Sequence, residues 1–106
     1  MTAAEIQQRI DAWLDARSAW LGQDDARWSL ASQWQAVSRQ FGADSPAALG
    51  VLLGLVRAAW KATVSAVDMK HQYLDHWRVT HGGLSNTCGH GGTEVEALLA
   101  ALEAAP

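Results

Sequence analysis

Cysteine is almost absent: Cys88 is the only one in 106 residues, so no intramolecular disulfide can brace the chain. Proline is nearly as scarce, with two residues, Pro46 and Pro106, which leaves long stretches free to form uninterrupted helices. Charge is also sparse. Eight Lys and Arg stand against eleven Asp and Glu, a formal net charge of −3, and the basic residues are scattered singly. That pattern lacks the basic footprint of nucleic-acid binding. A membrane-length apolar run is missing too. The uncharged stretch from Ala47 to Val56 ends at Arg57 after ten residues, about half of the ~20 that a bilayer requires. The start has no basic segment followed by a hydrophobic leader core, so the expected location is cytoplasmic, without membrane attachment. At this length one domain is expected, with a core large enough to fold without a metal or cross-link.

What is present divides the chain. Thr2 and Glu5 form a capping box that opens a helix over residues 2–22, with Ile6, Ile10, Trp13, Leu14, Trp20 and Leu21 on its apolar side and Gly22 at its end. Asp24 or Asp25 caps a second helix over 24–41, where Leu30, Trp34, Val37 and Phe41 make one stripe. Ser45 followed by Pro46 starts a third. Arg57, Lys61, Ser65, Asp68, Gln72 and Asp75 then fall at steps of three and four, which predicts one long helix over 46–80. A Gly-rich loop follows at 81–92, and Thr93 with Glu96 opens a short helix over 94–105. The expected fold is all-α: a single-domain four-helix bundle with a long central third helix, a short C-terminal helix and no strand.

Six tryptophans are far more than a core of this size needs. Five lie on or beside the apolar stripes, whereas Trp28 lies off its helix's stripe and is a candidate for a partner interface. Gly50, Gly54 and Ala58 begin a ridge of small residues at every fourth position, along which a second backbone can approach closely, within the chain or from another copy. In the Gly-rich loop, Leu84 supplies an apolar anchor and Asn86 a polar contact, with glycines expected to provide backbone at positive φ.

All four histidines and the cysteine lie within twenty residues. His76, His81, Cys88 and His90 are the residue types that hold zinc, although their spacing matches no common zinc hairpin. His71 stands one helical turn from Asp68 and from Asp75, the grouping that general-base chemistry uses, but it also falls between Val67 and Leu74 on the expected buried stripe, where a satisfied core histidine is the commoner explanation. The reading that follows is a small acidic protein–protein interaction module, an accessory, inhibitor or assembly subunit, that binds a protein partner or itself as a homo-oligomer. It requires no cofactor and is not expected to be an enzyme. The alternative is a metal-binding helical domain that takes Zn through the His/Cys cluster.

Overall fold

The computed structural model describes the backbone of residues 1–61, 64–71, 74–81 and 86–106, and the side chains of residues 1–61, 76–81 and 86–106. The element order is α1 (Ala3–Ala16), α2 (Ser18–Gly22), α3 (Asp25–Phe41), α4 (Pro46–Ala59), β1 (Val64–His71), β2 (Leu74–His81), β3 (Thr87–Gly91) and α5 (Glu94–Ala104). The chain divides into two compact units between Leu55 and Val56, and each is described by itself.

In the first unit, side-chain oxygens start the helices. Thr2 accepts from the Glu5 amide, and Asp24 accepts from the Ala26 amide at 2.8 Å. Ser45 accepts from the Ala48 amide and donates to the Gly42 carbonyl at 2.7 Å. These contacts satisfy first-turn groups that the helices themselves leave unpaired. Gly42, at φ 99°, ends α3 in a conformation that side chains resist. α1 buries Ile6, Ile10, Trp13 and Leu14. Along α3 the buried residues are Ala31, Trp34 and Ser38; of the expected stripe Leu30, Trp34, Val37 and Phe41, only Trp34 is fully buried, Leu30 and Val37 are half-buried and Phe41 is 58% exposed. Ser38 is tolerated inside because its hydroxyl donates to the Trp34 carbonyl one turn back. Gly54 meets Leu30: a Cβ there would stand 2.9 Å from Leu30 Cδ2, so this part of the small-residue ridge is filled from within the unit.

The second unit overturns the all-α bundle. The helix expected over 46–80 stops at Ala59, and Lys61 takes a left-handed φ of 63°. The chain then forms a three-stranded antiparallel sheet in the order β1-β2-β3. β1 and β2 pair in unbroken register from Val64↔His81 to His71↔Leu74. The steps of three and four that suggested a helix ran through residues with a second set of preferences: Val64, Val67, Trp77, Val79 and Thr80 are β-branched or aromatic and suit a pleated surface. Pairing with neighbouring segments settled a choice that local periodicity left ambiguous.

The expected 81–92 loop is also corrected. It contains β3, which pairs with β2 from Trp77↔Gly91 to Thr80↔Thr87, with an irregularity at Val79 and Thr80. Gly89 and Gly91 serve proximity rather than positive φ. A Cβ on Gly89 would fall 2.6 Å from the Ala101 nitrogen and against the Ala97 carbonyl oxygen, and one on Gly91 would fall 2.6 Å from the Ala97 nitrogen. Glycine on this side of β3 therefore lets the α5 backbone lie directly on the sheet. Thr93 caps α5, accepting from the Glu96 amide, and Val79, Ala97, Leu98, Ala101 and Leu102 are buried. At the other end of α5, Trp60 Nε1 donates to the Ala101 carbonyl at 2.8 Å, satisfying a last-turn acceptor.

Two glycine substitutions separate these roles. Gly89→Ala is expected to destabilise the chain by about 1–3 kcal/mol, because the helix backbone has to retreat. Gly50→Ala adds its methyl to open space within α4 and is expected to stabilise by about 0.5–1 kcal/mol. Urea unfolding followed by circular dichroism measures both.

Candidate functional site

Two places gather candidate functional side chains, one in each unit. The first begins where α1 gives way to α2. Arg17 interrupts the helix at φ −119°, ψ 28°, and its amide donates to the Leu14 carbonyl. The break turns α2 so that two tryptophan rings lie in a row flanked by two guanidinium groups. The Arg17 guanidinium lies 4.4 Å from the centre of the Trp13 ring, and Trp13 meets Trp20 edge to face at 5.6 Å. Arg27 lies 4.5 Å from the Trp20 ring and also donates to the Trp20 carbonyl. Each cation–ring contact is worth about 0.5–1 kcal/mol at such partly exposed sites.

α3 is tied to α1 by a single carboxylate. Asp11 accepts from Trp34 Nε1 at 3.3 Å and from Gln35 Nε2 at 3.1 Å, and it pairs with Arg39 at 3.5 Å. Between these two ties lies a groove of about 470 Å³. Leu14, Leu21 and Ala31 form its apolar floor, and Asp15, Ser18, Ser32 and Gln35 its polar rim. Trp28 also lines it and remains 59% exposed, while Trp34, six residues on, is wholly buried. A large, half-exposed ring therefore stands beside an apolar depression with a polar edge.

The second place is the sheet in the other unit. Side chains alternate across a strand, so Gly89 and Gly91 on the side of β3 that meets α5 put Cys88 and His90 on the other side. There His76 of β2 and His90 of β3 meet: His76 Nε2 and His90 Nδ1 are 2.6 Å apart, with ring centres at 4.8 Å and planes tilted by 36°. His90 is exposed and His76 half-buried. The other two metal candidates are engaged differently. His81 lies against the Trp60 ring at 5.0 Å, and its amide donates to the Asn86 carbonyl. Cys88 Sγ donates to the Val79 carbonyl at 3.5 Å. Burial pushes the Cys88 thiol up from its ordinary value, outweighing the opposing hydrogen bond from its own backbone, so it is a thiol at neutral pH. Among the described residues no group of three or more His, Cys, Asp and Glu converges as a metal site.

Of the remaining candidates, Gly50 is exposed, Ala58 is half-buried at the end of α4, and Asn86 is exposed beside β3. Leu84 lies outside the described residues. The grouping of His71 with Asp68 and Asp75 assumed a helical turn. In the sheet, the backbone register pairs His71 with Leu74, Asp68 with Trp77 and Asp75 with Lys70, and their side chains lie outside the described residues. The groove was not legible in the sequence, because its floor depends on the break at Arg17. Trp28 was legible by being out of phase with its neighbours.

No protein-family model, curated protein or solved structure matches the chain. Among the described residues no helix is long and apolar enough to cross a membrane.

Two measurements test this geometry. Trp34→Ala is expected to lose about 3–5 kcal/mol of stability, since it empties a buried site and removes a donor to Asp11, whereas Trp28→Ala is expected to change stability by no more than about 0.5 kcal/mol. Chemical denaturation of the two variants compares them. For Cys88, alkylation near pH 8 is expected to be slower in the native protein than in urea, because the native thiol holds its proton to higher pH. The same shift adds stability below the unfolded thiol's pKa of about 8.5, and this contribution is lost as pH rises through the native value.

Proposed function

We propose that the chain is a small acidic protein-interaction module that binds a protein partner by seating an apolar side chain of that partner in the groove beside Trp28. The observation that carries this reading is the exposure of Trp28, 59%, at the edge of a depression floored by Leu14, Leu21 and Ala31. Leaving an indole half in water forgoes its burial within the unit, and closing the groove with a partner recovers it. Asp15, Ser18, Ser32 and Gln35 around the rim supply acceptors and donors that orient the arriving segment. A lone cysteine, with no intramolecular disulfide to keep, is compatible with the reducing cytoplasm, which is the proposed setting.

The test places a photo-crosslinking residue at Ser32 in the full chain and irradiates it in cells. Adducts to another protein are expected, falling several-fold on Trp28→Ala while the melting temperature stays unchanged. Adducts to a second copy would make the chain its own partner. Absence of protein adducts, or adducts indifferent to Trp28→Ala, would overturn the reading.

A further inference from the structure

We propose that His76 and His90 form a two-imidazole clamp that binds a divalent transition-metal cation of Zn²⁺ type across strands β2 and β3. The inference is independent of the Trp28 groove. Its basis is the 2.6 Å approach of His76 Nε2 to His90 Nδ1 on the side of the sheet opposite α5, with His90 exposed and open to an arriving ion. Two facing ring nitrogens must share one proton between two lone pairs, and a cation that accepts both lone pairs replaces that proton. Zn–N bonds of 2.0–2.1 Å in tetrahedral geometry need the nitrogens about 3.3 Å apart. The rings therefore swing apart by several tenths of an ångström, a small rotation for an exposed side chain.

The protons balance without net release. Whichever ring donates in the shared hydrogen bond moves its proton to its other nitrogen, and both imidazoles then bind as neutral ligands. The remaining coordination positions belong to water. Cys88 is not counted as a third ligand, because its sulfur is turned to the Val79 carbonyl. His81 is held against Trp60. Arg78 is the register partner of His90, so a cationic residue already belongs to the same strand pair. The clamp is therefore weaker than a closed four-ligand site, and imidazole-preferring cations are favoured over the oxygen-seeking Mg²⁺ and Ca²⁺.

Because the two ligands come from neighbouring strands, bound metal cross-links the β2–β3 edge and stabilises the folded chain by mass action. The experiment titrates the full-length protein with Zn²⁺ alone, by calorimetry and by thermal melting with and without EDTA. One ion per chain is expected, with an EDTA-reversible rise in melting temperature and no response to Mg²⁺. His76→Ala and His90→Ala are each expected to weaken binding by about tenfold or more, with His81→Ala and Cys88→Ser binding as the wild type does. A His90→Gln variant with wild-type circular dichroism shows that any loss reflects the missing ligand and not the fold. Nitrogen-15 shifts of His76 and His90 should move together on addition of metal. No saturable Zn²⁺ binding, binding retained in His90→Ala, or an equal loss in His81→Ala would overturn the proposal.

Discussion

The second half of this protein depends on one close approach, the contact of the α5 backbone with β3 at Gly89 and Gly91. Any side chain at either position would occupy space already taken by Ala97 or its neighbours, so α5 can lie on the sheet only because both residues lack a Cβ. That contact also decides which side of β3 faces outward. With a strand period of two, glycines at 89 and 91 leave Cys88 and His90 on the opposite side, where His90 meets His76. The histidine pair and the burial of Val79 under α5 are thus two consequences of one constraint.

The first half is organised by polar and cationic ties as much as by apolar contact. Asp11 gathers donors from Trp34 and Gln35, joining α1 to α3, and the Arg17–Trp13–Trp20–Arg27 stack sets α2 at its angle. Indole rings have both an apolar body and a donor, so they can serve these ties while filling space. Trp34 does both, buried and donating to Asp11. Trp28 is excluded from the same core because the face of α3 that turns inward is set by Ala31, Trp34 and Ser38. The groove between the ties is what remains of the surface once they are satisfied.

The two candidate sites differ in how much of them the sequence disclosed. Trp28 could be singled out from phase alone, but the depression beside it could not, because it needs Leu14 and Leu21 from separate helices and a break at Arg17 that no proline or glycine announces. His76 and His90 could be named as ligand types, but pairing them required knowing that each lies on a strand. Fourteen residues separate them, and neither a helix nor a loop would have defined their distance.

The sequence by itself determined the features that depend on neighbouring residues: the capping contacts of Thr2, Asp24, Ser45 and Thr93, the end of α3 at Gly42, and the buried side of α1. These interactions close within a turn or two, so their chemistry is written in adjacent positions. Only the tertiary structure decided strands β1, β2 and β3, where a helical spacing of polar residues competed with β-branched and aromatic side chains, and where each strand's hydrogen bonds go to another strand. A strand's hydrogen bonds are made to another segment, so its stability is a property of the pair. Once β2 had both neighbours and α5 had glycine beneath it, the sheet prevailed over the helix that the local pattern suggested.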